Sequence, residues 1–252
     1  MTRVADDVWT VFWRESLPGL REPAGLLFAV FQPLVFLALF GPLLSGVAEV
    51  PGASAWQWFV PSVLVMLALF WTANIGYSLL TDMATGSHER LLVTPMSRHA
   101  IAVGRALKAV AELVVQGLLI VAVVVPFGFE LHPVGALLGF VGLVLLGVAA
   151  GTLSDALAIA SGGKHEIFYT VQSSLVFPLL FLSGMMLPLD TGPGWMQAVG
   201  RINPLTWVVD GMRAAFAGEV GGDVAVGLAT AAGLAAIGVV LVTRGMAGAV
   251  DR

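Results

Sequence analysis

The sequence predicts an all-α integral membrane protein with six transmembrane helices. An N-terminal interfacial helix precedes them, and short re-entrant helices lie between the fifth and sixth spans. Three observations lead there. The 252-residue chain is 58% hydrophobic and 11% charged, with a mean hydropathy of +0.93, too apolar for a soluble domain of this size. Phe168–Leu187 runs for 20 residues without a formal charge, enough to cross about 30 Å of hydrocarbon as a helix at about 1.5 Å per residue. The text after it, as far as Arg213, is broken by Pro188, Pro193 and Pro204 and carries Arg201, Asp210 and Arg213, so it is not another simple span.

Composition also excludes several classes. The net charge of −4 and the dispersed basic residues leave no nucleic-acid footprint. With no cysteine, the chain has no disulfide framework, thiolate metal site or cysteine nucleophile. His88, His99, His132 and His165 have no metal-ligand spacing. Gly162-Gly163-Lys164 is not a phosphate loop, because His165 follows the lysine and no glycine stands five residues before Gly163. The chain therefore carries no nucleotide-binding motif of its own.

In order, residues 1–22 read as an amphipathic helix. Trp9, Phe12, Trp13 and Leu17 share one face and Asp7 and Arg14 the other. The two tryptophans and the adjacent span favour a helix lying on the membrane surface, ended by Pro18-Gly19. The first span is about Ala24–Leu44, interrupted by Gln32-Pro33. It is too long for a signal-peptide core, although Ala53-Ser54-Ala55 imitates a cleavage site. The second is about Trp58–Leu80, with Trp56 and Trp58 suited to the interface. Residues 81–99 form a polar loop.

The third span, about Ala106–Pro126, opens with Arg105, Lys108 and Glu112 along one side. Lys108 and Glu112 are i,i+4 neighbours able to pair, and an intramembrane carboxylate is a functional candidate. The fourth, about Val134–Leu153, is rich in glycine and alanine, which permits close helix packing. Ser161–Glu166 is a turn. The fifth is Phe168–Leu187 and the sixth about Val224–Thr243, closed by Arg244. Six spans put both termini on one side. Ten of the twelve basic residues (Arg3, Arg14, Arg21, Arg90, Arg98, Arg105, Lys108, Lys164, Arg244, Arg252) fall on that side and only Arg201 and Arg213 on the other. That asymmetry places both termini in the cytoplasm and segment 188–223 outside; the membrane expected for this multi-pass protein is the plasma (inner) membrane.

In segment 188–223, Asn203 can cap a helix with Pro204 at its first position. Leu205, Val208, Val209, Met212 and Phe216 then form an apolar stripe, with Asp210 and Arg213 an i,i+3 pair on its flank at the water boundary. An arginine at the bilayer centre costs about 2.5–3.5 kcal/mol on insertion scales, so a short re-entrant or interfacial helix is favoured over a full crossing. Gln32, Asn74, Gln116 and Gln172, with Glu112, are candidates for lining a translocation path; hydrogen bonding to a neighbouring helix is the alternative reading for the four amides.

Two stretches resemble a known family. The Phe-Leu-Ser-Gly of Phe181–Gly184, the Pro-x-Trp of Pro193–Trp195, Asn203-Pro204 and Arg213 are similar to the signature region of ABC-2 type permeases, and within them to daunorubicin-resistance-type drug exporters. Glu89, Arg90, Leu91, Leu92, Thr94 and Pro95 resemble the family's cytoplasmic coupling loop. The resemblance implies one permease domain over residues 1–252, paired with a second copy or paralogue and served by two separate ATPase subunits. ATP and Mg would be bound there, with no cofactor on this chain. Glu89–Pro95 would dock into the ATPase, and Pro193, Trp195, Asn203, Pro204, Asp210 and Arg213 would belong to outer re-entrant helices that shape the exit. The implied cargo is an amphipathic drug, antibiotic or lipid-like molecule. A polysaccharide or glycolipid exporter is the closest alternative. An ion-coupled carrier fits less well, because mid-span carboxylates are scarce.

Overall fold

The structure, a computed structural model, describes residues 2–21, 23–45, 55–84, 98–186 and 188–250. Every regular element among them is helical. In chain order these are α1 (Thr2–Arg21), α2 (Pro23–Ser45), α3 (Ala55–Ala84), α4 (Arg98–Val124), α5 (Pro133–Ala160), α6 (His165–Phe181), α7 (Gly194–Ile202), α8 (Pro204–Phe216) and α9 (Gly222–Val250). Single 3-10 turns follow α4 at Val125–Phe127 and precede α7 at Leu189–Thr191.

α3 is the hub. It packs against α2, α4, α5, α6 and α8, and Phe59, Val60 and Val63–Leu69 are all buried within one apolar core. Ring contacts fix how its neighbours run. Trp56, at the start of α3, meets Phe127 at the far end of α4, with ring centroids 6.1 Å apart. Near the other end of α3, Arg105 at the start of α4 donates to Ser78 Oγ at 3.2 Å. α3 and α4 are therefore antiparallel. The end of α2 meets the start of α3, where Phe40 lies 5.8 Å from Phe59. α5 and α9 are parallel instead: Gly142 faces Leu228, Thr152 faces Gly238 and Ile159 faces Gly245.

A parallel pair requires the intervening chain to travel back from one end of the bundle to the other. α6 does this alongside α3. His165 and Tyr169 lie 5.5 and 5.7 Å from Tyr77, Phe177 lies 6.4 Å from Phe70, and Gly184 is reached by Arg213, which also contacts Trp58. From Tyr77 to Trp58 is roughly 29 Å of helix at about 1.5 Å per residue.

Four helical stretches are long and apolar enough to cross a bilayer: Ala55–Thr81, Val103–Phe127, Pro133–Ala160 and Gly222–Gly245. α2 contributes a shorter apolar stretch, Val30–Pro42. α6 departs from the expected helix over Phe168–Leu187, for it stops at Phe181. Pro178 stands in its last turn, the Ser183 hydroxyl donates to Leu180 O at 2.7 Å, and Gly184 adopts φ +72°, a left-handed geometry natural to glycine at a helix end.

Three other boundaries differ from expectation. α1 continues through Pro18-Gly19 to Arg21, and α2 is unbroken at Gln32-Pro33. A proline removes only its own N–H from the ladder, and the surrounding turns carry the helix past it. α5 runs two turns beyond Leu153 to Ala160, which brings Ser154 and Asp155 into a helix. On α1, Val11 is buried where it and Val8 meet Gly104 of α4. Trp9 stacks on Phe12 and on Trp13, and both tryptophans stay exposed. The aromatic face thus points away from the protein, as a helix lying in a membrane interface requires.

Candidate functional site where α8 meets α3

α8 forms as its sequence dictates. Asn203 is its N-cap, accepting at Oδ1 from the Leu205 N–H at 3.0 Å, and Pro204 occupies the first helical position. Leu205, Val208, Val209, Met212 and Phe216 are all buried, so the stripe read from the sequence is the packed face. The Asn203 side chain works twice. Its Nδ2 also donates to Leu179 O at 2.9 Å, tying the start of α8 to the end of α6.

Arg213 organises the junction. Its Nε donates to Trp58 O at 3.2 Å, and its Nη2 to Ser62 Oγ and to Gly184 O, both at 2.8 Å. Nη1 donates to Asp210 Oδ1 at 3.4 Å. The guanidinium carbon stands 3.8 Å from the centre of the Trp58 ring, a cation–π contact worth roughly 2 kcal/mol or more when desolvated. One side chain thus joins α8, α3 and the turn after α6. The expected Asp210–Arg213 pair forms, but only Asp210 stands at the water boundary. The Arg213 side chain is 15% exposed against 53% for Asp210, because α3 offers it an aromatic face and a set of oxygens that nothing in the local sequence announces. Burial lowers the Arg213 pKa to about 10, against the opposing pull of Asp210, so it stays charged at neutral pH. Burial raises that of Asp210; Arg213 offsets this in part, and Asp223 and Asp190 add to it.

A second clasp closes the other end of α8. Gln57 donates to Phe216 O at 2.6 Å and to Glu130 O at 3.0 Å, and accepts from the Glu130 N–H at 3.0 Å. Sequence reasoning overlooked Gln57; its only signal was an amide between two tryptophans at the head of a span.

Between α7, α8 and the turn after α6 lies a cleft of about 340 Å³, walled by Trp58, Pro188, Leu189, Trp207 and Thr206 and edged by Asp190, Arg201, Asp210 and Arg213. Pro193 and Trp195 stand outside it: Pro193 precedes α7 and Trp195 is 63% exposed. Glu89, Arg90, Leu91, Leu92, Thr94 and Pro95 lie outside the described residues, as does the side chain of Asn74.

The remaining candidates are scattered. Gln32 is exposed on α2. Glu112 pairs with Lys108 at 3.3 Å, as their spacing allows. Gln116 is fully buried with neither amide atom hydrogen-bonded, and Gln172 is buried with its Oε1 unbonded. Asp155, missed because the fourth span was ended at Leu153, lies half-buried on α5 within the field of Arg105. No group of three or more histidine or acidic side chains able to hold a metal occurs among the described residues.

The profile of the family described as ABC-2 type transporter matches residues 6–217. The chain is 30% identical over 233 residues to the daunorubicin resistance ABC transporter permease protein DrrB1 of Streptomyces coeruleorubidus, covering 90% of this chain and 81% of that protein. It is 32% identical over 199 residues to the putative transport permease ycf38 of Cyanophora paradoxa, covering 77% and 68%. With the inner membrane transport permease YadH of Escherichia coli K12 it shares 27% identity over 193 residues, covering 75% and 74%.

Proposed function

The chain belongs to the ABC-2 type transporter family, and from that premise we propose that it is the permease subunit of an ATP-driven exporter of amphipathic molecules such as drugs, antibiotics or lipids. In this reading it is a multi-pass protein of the plasma membrane with both termini in the cytoplasm. α2 and α6 cross the bilayer with the four long apolar helices, making six spans. α7 and α8 are the re-entrant pair on the outer side, and segment 188–223 shapes the exit. A second permease, identical or related, completes the path. Two separate ATPase subunits bind ATP and Mg, and their closure is passed to the permease through Glu89–Pro95.

One observation carries the reading. The chain returns along α3 through α6 and then lays α8 against the same end of α3, with α7 packed on α8. A charged residue there, Arg213, is supplied with partners from three segments, which is how a short helix carrying an arginine can enter a membrane without crossing it. The daunorubicin resistance permease, named for a drug, supports the choice of cargo class.

The test is reconstitution. The purified chain alone should turn over no ATP, and co-purification with its ATPase should confer both turnover and ATP-dependent efflux of an amphipathic fluorophore from inverted vesicles. Glu89→Ala with Leu92→Asp should abolish efflux while leaving membrane insertion intact. Turnover by the isolated chain at the rate of the complex would refute the assignment, and unchanged efflux in the double variant would move the coupling site elsewhere.

A further inference from the structure

Resting on that reading, we propose that the cleft between α7, α8 and the turn after α6 is a water-filled vestibule reaching from the outer surface to about the middle of the bilayer, and that Arg201, at its inner end, lines the way out for cargo. Depth follows from how α8 lies along α3. Its last residue, Phe216, accepts from Gln57 near the start of α3. Its cap, Asn203, donates to Leu179 O, in the same turn of α6 as Phe177, whose ring meets that of Phe70. Gln57 and Phe70 are about 20 Å apart along α3 at about 1.5 Å per residue, and the 13 residues of α8 make about the same length. The apolar stretch of α3, Ala55–Thr81, has 27 residues, or about 40 Å. The junction of α7 and α8 therefore sits about halfway across.

Arg201 lies in the last turn of α7, two residues before that junction, and its carbonyl accepts from the Trp207 indole N–H at 3.3 Å. Its side chain lines the cleft, is exposed and has no ion-pair partner among the described residues. Hydrocarbon cannot solvate an arginine at this depth, so water must reach it through the cleft. The rest of the lining fits solvent. Asp210 matches Arg213, and Asp190 and Arg201 balance in formal charge, so the cleft requires no counter-ion. The Ser183 and Thr206 hydroxyls and the Trp207 indole donate into the protein, which leaves the carboxylates and Arg201 to water. A volume of about 340 Å³ has room for roughly ten waters at about 30 Å³ each. α7 itself is divided. Gln197 and Arg201, one turn apart, border the cleft, whereas the exposed Trp195, Val199 and Ile202 form an apolar face on the other side. That division suits a wall with water on one face and hydrocarbon on the other. A polar shaft reaching halfway through a membrane is half of a crossing, and in an exporter the outer half is the exit.

The experiment introduces single cysteines, since the chain has none, and exposes the complex with its ATPase in right-side-out vesicles to trimethylammonioethyl methanethiosulfonate, which does not cross membranes. The reagent attacks the thiolate, a species that needs water. Arg201→Cys should react within about tenfold of the rate of Asp190→Cys at the rim, and Ile202→Cys about a hundredfold more slowly, although Ile202 is 82% exposed on the protein. Thr206→Cys, on the α8 wall, repeats the test without removing the arginine and should react as position 201 does. Vesicles loaded with ATP and ethidium supply the second readout. Modification at 201 or 206 should remove most of the ATP-dependent efflux, while reagent-treated wild-type complex keeps its rate. Failure of both 201 and 206 to react from outside, or equal rates at 201 and 202, overturns the vestibule. Reaction at 201 and 206 with efflux undiminished overturns the role of Arg201 in the exit. Labelling needs neither ATP nor cargo, so the expected pattern in a complex that shows no efflux even before modification would sink the permease reading and leave the vestibule standing.

Discussion

The two sides of α8 are held by opposite means. Toward α3 and the turn after α6, contact passes through side-chain atoms of Arg213 and Asn203, every bond with a direction and a partner. Toward α9 and α5 the contact is close packing: backbone on backbone at Gly211 and Gly227, and the Phe216 and Met212 side chains on glycines of α5. A Cβ at Gly211 would lie 2.8 Å from Gly227 Cα and 2.9 Å from Asp223 O, and the Phe216 ring occupies the space a side chain at Gly139 would need. The first side opens when the side-chain bonds of Arg213, Asn203 and Gln57 break. The second can separate only if two helices move apart. In a bilayer no hydrophobic effect drives helices together, so association rests on such close packing and on hydrogen bonds between helices. α8 is therefore fixed to α5 and α9 and latched to α3, which makes the α3 side the one free to open.

The sharpest way to break this comparison is Arg213→Ala. It leaves Ser62 Oγ and Gly184 O without their donor and Asp210 without its cation. Each buried acceptor left without a donor costs about 1–3 kcal/mol, whereas Asp210, more than half exposed, stays solvated; the melting temperature should drop and ATP-dependent efflux should fall strongly with it. Arg213→Lys keeps the charge but not the planar fork, and should restore only part of either. Full activity in the lysine variant would show that charge alone holds the latch.

The seam is probed by Gly211→Ala and Gly227→Ala. Each adds one methyl group where the neighbour is backbone and cannot turn aside. The cost should be about 1–3 kcal/mol, read as lower thermal stability in micelles. Gly233→Ala, facing open space, is the control and should change little. Equal tolerance at 211, 227 and 233 would mean that α8 and α9 are not in backbone contact.

How much of this was legible follows from the range over which each force acts. The α8 stripe, the Asn203 cap and the Asp210–Arg213 and Lys108–Glu112 pairs could be read because period and spacing within one helix place them. Trp58 and Ser62 as partners of Arg213 could not, since more than 150 positions separate them and only packing brings them together. Gln57 was invisible for the same reason. Asp155 was lost to a boundary: hydropathy ends a span where apolar residues end, whereas α5 continues for two turns more. The cleft was wholly illegible, because its character depends on where donors already point.

The smallest effect expected belongs to Asn203, and it divides one residue's two roles. Asn203→Ala removes both the cap on Leu205 N–H and the bond to Leu179 O. The cap is worth about 1 kcal/mol and the second bond about 0.5–1.5 kcal/mol. Pro204 limits the loss, because its fixed φ continues to start the helix and it has no N–H to leave unpaired. Asn203→Asp keeps the oxygen that caps Leu205 but places an acceptor opposite the Leu179 carbonyl, so it should retain the helix start while loosening α8 from α6. Cysteines introduced at Trp207 and Val209 report the difference, since the natural chain has none to remove. In the wild-type background, an impermeant thiol reagent should label the exposed position 207 quickly and the buried position 209 slowly. Asn203→Ala should raise the rate at 209 more than Asn203→Asp does, because it removes the cap as well as the bond to Leu179 O. The reverse order would assign the main role of Asn203 to holding α6, and the latch would then begin at Leu179 rather than at Arg213.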